Sequence, residues 1–252
     1  MQIKKLVARF AEQLGYHIIP KWRMRDLAFA QHLDKLLRHY EVNALIDVGA
    51  NRGQYRDFLR MEVGYAGRIL SYEPQPACYE ILRQRSSNDA SWDVRNLALG
   101  ASQGELSLNV TAGDSMSSFL KPENTHVNGF EKWSRVRETV VVPVTTLDAE
   151  LDQAQNTMLR ESRIYLKLDT QGFDLNVLRG ARDSLSRVVC VQSELSVKPM
   201  YEDMPNYREV IDFLAEAGFE LSGVFPVNHD ANLAVIELDG LFINSRLAKP
   251  TR

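Results

Sequence analysis

Four side chains in this 252-residue chain are suited to moving a proton: Asp169, Glu194, His126 and His229. Asp169 follows the apolar run 163–168, and Glu194 closes the run 188–193. In an open α/β sheet, ligands bind in the crevice outside the carboxyl ends of the strands, so an acid at such an end faces the chemistry. Asp169 could equally cap the helix expected over 173–178, whose first turn Asp174 would favour electrostatically. His126 lies in an irregular polar stretch and His229 at the tip of an expected hairpin; each could face a substrate or satisfy local hydrogen bonds. A carboxylate or imidazole in such a position can act as a general base toward a hydroxyl.

A second group of residues reads as a binding pattern. The run Ala44–Val48 is apolar and closed by small residues, as a buried strand is; residues 49–53, Gly-Ala-Asn-Arg-Gly, turn the chain, and 55–59 resume with helical spacing. Glycines let the backbone come close to a ligand, and the N–H groups of a helix start offer donors to it. The run Arg68–Tyr72 ends in Glu73, 24 positions after Gly49, and Pro74 suits the start of the next helix. That is near the spacing at which an acid takes the hydroxyls of a ribose in a nucleotide-binding α/β unit. The Gly-x-x-x-Gly spacing is not the Gly-x-Gly-x-x-Gly of pyrophosphate-binding dehydrogenases, which favours a nucleoside cofactor without a pyrophosphate and counts against an NAD-dependent oxidoreductase.

Residues 47–53 (Asp-Val-Gly-Ala-Asn-Arg-Gly) with Tyr72-Glu73-Pro74 resemble the S-adenosylmethionine site of class I methyltransferases. Residues 167–180, Lys-Leu-Asp-Thr-Gln-Gly-Phe-Asp-Leu-Asn-Val-Leu-Arg-Gly, closely resemble the signature of the FkbM-type family, whose members commonly O-methylate sugars and natural products. The resemblance spans roughly 44–245 and implies a Rossmann-like α/β fold: a central, mostly parallel seven-stranded sheet with a terminal antiparallel hairpin, flanked by helices. It implies S-adenosylmethionine as cofactor, with contacts from Asp47, Gly49, Asn51, Gly53, Tyr55, Glu73, Pro74, Asn96, Ala98 and Ser117. Turn formation is the alternative role for Asn96. The expected acceptor is a sugar hydroxyl in a polysaccharide, glycolipid or precursor; a small natural product, or a binding module without catalysis, are the alternatives. The family often carries Glu where this chain has Gln171, and an amide can orient a hydroxyl but cannot take its proton. The carboxylates could also hold a divalent cation that lowers the hydroxyl's pKa. Leu168-Asp-Thr-Gln171 does not match the Asn/Asp-Pro-Pro-aromatic segment of base-modifying nucleic-acid methylases.

The elements needed to position these groups follow in order. Strands are expected at 92–98, 104–111 and 139–144, the last two as an antiparallel excursion, then at 163–168, 188–194, 219–225 and 233–244, with a helix over 206–217. Between the excursion strands, residues 112–138 are rich in Gly, Ser, Asn and charge without periodicity, which favours a lid in which Ser117 and Ser118 could reach the cofactor. Residues 1–40 are expected to form a helical segment packed on a methyltransferase domain over 41–252. In that segment Ile3, Leu6, Val7, Phe10 and Leu14 share a helical face beside Lys4, Lys5 and Arg9, so docking on the core, on a second subunit or on a membrane surface are all open. A net charge of −3 provides no basic field for nucleic acid. Two cysteines, no signal peptide and no bilayer-length apolar run suit a reducing cytoplasm.

Overall fold

Consecutive buried positions, rather than alternating ones, mark the centre of the sheet. All five residues of β1 (Ala44–Val48) and of β7 (Ile164–Leu168) are buried, as parallel strands covered on both faces must be. The computed structural model describes residues 26–123, 125–127, 129–152, 159 and 162–247. The amphipathic stretch 3–14 of the expected helical segment lies outside them.

In chain order the elements are α1 (Leu27–His39), β1, α2 (Gln54–Phe58, running into a π-helical turn Leu59–Val63), β2 (Arg68–Tyr72), α3 (Pro76–Ser86), β3 (Trp92–Arg95), β4 (Ala98–Leu99), β5 (Gly104–Thr111), α4 (Glu131–Ser134), β6 (Val136–Thr145), α5 (Leu147–Asp152), β7, α6 (Asp174–Arg179), β8 (Val188–Ser196), α7 (Tyr207–Glu216), β9 (Phe219–His229) and β10 (Val235–Asn244). Seven strands form one sheet in the order β3-β2-β1-β7-β8-β10-β9, and β4, β6 and β5 form a small second sheet. The first five are parallel to one another, while β10 runs antiparallel to both β8 and β9. This is the mostly parallel seven-stranded sheet with an antiparallel hairpin expected from the resemblance.

Each face of the sheet carries its own core. Ile46, Leu166 and Leu168 pack with Val177, Leu178, Val210 and Leu214 on one side; Leu45, Ile69 and Tyr165 pack with Leu33, Leu36, Leu59 and Trp92 on the other. The strand period of two assigns the faces, so Asp47 and Lys167, two residues on from Leu45 and Tyr165, share the second face. Among the described residues no helix is long and apolar enough to cross a membrane.

Two element boundaries differ from expectation for visible reasons. The strand expected over 92–98 breaks after Arg95, because the Asn96 amide turns to donate to the backbone carbonyls of Glu73 (2.9 Å) and Pro74 (3.1 Å); Ala98 and Leu99 then pair with β6. Strand β9 continues past Phe225 to His229. Pro226 is tolerated there because β9 is an edge strand and the register with β10 shifts beside it.

Candidate active site

Strand order reverses between β1 and β7, and at the carboxyl ends of β1, β2 and β7 lies a cavity of about 210 Å³. Gly49, Asn51 and Tyr55 bound it from the turn and helix after β1, Glu73 and Pro74 from the end of β2, and Lys167, Asp169 and Gln171 from the end of β7. Asp114, Ser117 and Phe119 cover it from the segment that follows β5. An ion pair between Arg52 and Asp114 ties that segment to the turn after β1.

The turn is folded back tightly on its neighbours. Gly49 and Ala50 both donate to the Tyr72 carbonyl, at 3.0 and 3.1 Å. A Cβ on Gly49, whose φ is +79°, would lie 2.0 Å from the Asp169 carbonyl oxygen, so only glycine lets the first and fourth central strands end this close together. The Glu73 carboxylate is buried and accepts two backbone N–H groups, from Asn51 at 2.7 Å and Gln75 at 2.8 Å. Burial pushes its pKa up to about 7 against the pull of those two bonds.

Beneath the cavity a continuous polar chain crosses the sheet. Trp92 Nε1 donates to Ser71 Oγ at 3.0 Å, and Ser71 Oγ donates to Asp47 Oδ2 at 3.2 Å. Asp47 Oδ1 lies 3.0 Å from Lys167 Nζ, which lies 3.3 Å from Asp169 Oδ2. Gln171 Nε2 then donates to Asp169 Oδ1 at 3.1 Å and to Glu194 Oε2 at 3.0 Å. Burial disfavours the Lys167 ammonium, but Asp169 and Asp47 outweigh it and hold the lysine pKa above its ordinary value. The ammonium also sits 5.0 Å from the centre of the Tyr55 ring, whose hydroxyl donates to Gln192 Oε1 at 2.5 Å.

On the β8–β10 side, Asp169, Asp174, Glu194, Glu237 and Asp239 lie within one electrostatic neighbourhood. Burial and then the charges of Glu237, Asp169, Asp174 and Asp239 push Glu194 well above the carboxylate range. Burial and Asp169 push Glu237 up to about 8, and burial pushes Asp239 up to about 6 although Gln192 Nε2 donates to it at 2.9 Å. Asp174 does more than favour its helix start. It accepts the Thr170 N–H at 2.9 Å, the Ser193 hydroxyl at 2.7 Å and the Glu194 N–H at 3.1 Å, stapling the β7 loop to β8.

Of the residues singled out from sequence, Gly49, Asn51, Tyr55, Glu73, Pro74, Ala98, Ser117 and Asp169 meet at the cavity. Asp47, Gly53, Asn96, Glu194, His126 and His229 do not line it. Asp47 is fully buried below, reaching the cavity only through Lys167. Gly53 packs under the turn, where a Cβ would meet Trp92 and Leu82, so its constraint comes from packing rather than from approach to a ligand. Asn96 braces the loop that carries Glu73. His126 and His229 are exposed. Lys167 and Gln171 also line the cavity, beyond the residues the sequence pattern singles out. A lysine inside the apolar run IYLKL and an aspartate inside ALIDV were the available signal, since charges buried in a strand must find each other. Among the described residues, no group of three His, Cys, Asp or Glu side chains is arranged to hold a metal ion.

A cavity at the switch point of this sheet, rimmed by the glycine turn and the acid ending β2, defines a class I methyltransferase. The model of the methyltransferase FkbM domain matches residues 47–221, and the chain belongs to that family of S-adenosylmethionine-dependent methyltransferases. The chain is also similar to the 2-O-methyltransferase NoeI of Sinorhizobium fredii, 23% identical over 189 residues that cover 72% of this chain and 74% of that protein. Among solved structures it is similar to an FkbM methyltransferase from Methylobacillus flagellatus KT, at 14% identity and a TM-score of 0.47, covering 81% of this chain but only 44% of that longer one. A SAM-dependent methyltransferase from Aquifex aeolicus is similar at 13% identity and a TM-score of 0.38, covering 87% and 98% of the two chains.

Proposed function

We propose that this chain methylates a hydroxyl of a sugar in a polysaccharide, a glycolipid or one of their precursors, with S-adenosylmethionine bound at the Glu73 side of the cavity and Asp169 as proton acceptor. The observation that carries the reading is the meeting of the two separated motifs, 47–53 with Glu73 and 167–180, around one cavity. The residues present fit the cofactor. Each Glu73 oxygen accepts one backbone N–H and has a second lone-pair direction left for a ribose hydroxyl. Leu97, Leu99, Leu108 and Phe119 add apolar wall for a purine, and Asn51, Gln54 and Ser117 add polar groups. When bound, the sulfonium supplies an electrophilic methyl carbon that leaves its bonding electron pair on sulfur and joins the acceptor oxygen.

The chain's own task is to hold the acceptor in line and to take its proton. Asp169 suits this: it lines the cavity, and its side chain is 42% exposed, so an incoming hydroxyl can reach it. Glu194 lies behind it, off the cavity. Oxygen as the acceptor atom agrees with the name of the 2-O-methyltransferase relative. A net charge of −3 favours a neutral or small acceptor over nucleic acid, and the free, buried Cys78 and Cys190 suit a reducing cytoplasm.

Methyl-labelled S-adenosylmethionine offered with two separate panels, sugars with glycolipid precursors and small natural-product hydroxyls, tests the reading. Label is expected in the sugar panel. Label confined to the small molecules would move the acceptor class, and tight cofactor binding without transfer to either would favour a binding module.

A further inference from the structure

The methyl-transfer reading leaves Gln171 without a task, yet both its backbone and its side chain are held by neighbours. Its backbone sits in the left-handed region at φ 53°, directly before Gly172 at φ 86°, a conformation a non-glycine residue adopts at a cost. The Ser118 hydroxyl fixes that backbone by donating to the Gln171 carbonyl at 2.7 Å. The side chain is buried and both its N–H directions are used. Nε2 donates at 3.1 Å to Asp169 and at 3.0 Å to Glu194, while Oε1 lies 2.9 Å from the buried Tyr201 hydroxyl, whose one proton is shared between it and the Met116 carbonyl at 3.0 Å. The neighbours settle which end of the amide is which. A flipped amide would turn its oxygen toward two carboxylates and its nitrogen toward a hydroxyl placed to donate.

We infer that Gln171 is a positioning residue for methyl transfer: its two N–H bonds hold Asp169 and Glu194 side by side and lock the Asp169 carboxylate in the rotamer that faces the cavity. The inference rests on the reading of Asp169 as proton acceptor. With Oδ1 held by Gln171 and Oδ2 by Lys167, the carboxylate cannot swing away, yet only two of its roughly four acceptor directions are used, leaving others for the acceptor hydroxyl. An ionised acid at position 171 could not do this. It would keep the length but lose both donors, and it would bring a third carboxylate against two others.

Charged groups face Asp169 from several elements: Lys167 on its own strand, Asp174 on α6, Glu194 on β8, and Glu237 and Asp239 on β10.

The test is the carboxyl-carbon NMR titration of Asp169 in the full chain labelled at Asp and Glu carboxyls, assigned by its absence in Asp169→Asn. Wild type is compared with Gln171→Met, which keeps the volume without donors, and with Gln171→Glu, which keeps the shape but reverses the interaction. S-Adenosylmethionine affinity is measured on each. The expected result is an Asp169 titration raised by about one pH unit in Gln171→Met and by more in Gln171→Glu, with cofactor affinity within about threefold of wild type. An unmoved Asp169 in folded Gln171→Met, even with a lowered melting temperature, would make the amide merely structural and overturn the inference alone. If the Met variant does not fold, the Glu variant is judged by the same criterion. Failure of wild type to bind S-adenosylmethionine would overturn the reading of the cavity, and this inference with it.

Discussion

The two ends of the cavity are built from different material. At the Glu73 end a single carboxylate is held by backbone N–H groups of Asn51 and Gln75. At the Asp169 end a lysine, an amide and several acids hold one another through side chains. A group satisfied by backbone depends on the fold alone, so its neighbours can change without undoing it. A side-chain network ties each member to the others, and losing one leaves buried charge uncompensated.

The largest effect should come where the two ends touch. Gly49→Val is expected to cost about 3 kcal/mol or more, since it meets the Asp169 carbonyl and forces a β-branched residue into left-handed backbone. Gly64→Ala, with φ +76° but nothing within 4 Å, should cost only about 1–2 kcal/mol. Thermal melting of both separates close approach from backbone strain, and equal losses would remove the close approach. Of comparable size, Lys167→Met should destabilise by about 3–5 kcal/mol by stranding Asp47, against about 1 kcal/mol for Glu73→Gln at the backbone-built end. Denaturant midpoints decide this, and similar losses at the two positions would erase the distinction.

Asp169→Asn keeps the shape and removes the basicity. Turnover on the true acceptor should fall by about 10²–10⁴ while cofactor affinity stays within about threefold. Near-normal turnover would move the base elsewhere, to Glu194, which shares the Gln171 amide, or to His126 or His229.

Two pH effects should be smaller. Burial pushes Glu73 up to about 7, and on the proposed reading ribose hydroxyls would donate to its ionised form. Cofactor affinity should therefore rise by up to about tenfold per unit as pH increases toward 7 and level off by about pH 8, flattening in Glu73→Gln. At the other end, Glu237 is raised from 4.5 to about 8, so the folded chain holds its proton more tightly than the unfolded chain does. Its contribution to stability is present below about pH 4.5 and is lost as pH climbs through 8. Stability measured across that window should fall, and less steeply in Glu237→Gln.

What was legible in the sequence follows the same division. Glu73 and Asp169, which line the cavity, and Glu194, which lies off it, all stand out in the sequence because each ends an apolar run, a pattern local to a few residues. Asp47 was read as a cofactor contact because its motif suggested one, whereas the fold pairs β1 with β7 in a register that sets Asp47 beside Lys167 across 120 positions of sequence. No local pattern carries that neighbour. Gln171 looked like a departure from its family because its value depends on Tyr201 and Glu194, which arrive from β8 and the loop after it. His126 and His229 drew attention by chemistry alone, and single histidines in irregular or edge segments have no periodicity to place them.

Calorimetric titration of S-adenosylmethionine into wild type and Glu73→Ala tests the central claim most directly, namely that the turn after β1 and the acid ending β2 form the cofactor end of the cavity. Glu73→Ala should bind about 10- to 100-fold more weakly, the loss of charge-assisted bonds worth about 1.5–3 kcal/mol. A folded Glu73→Ala that binds as tightly as wild type would contradict it.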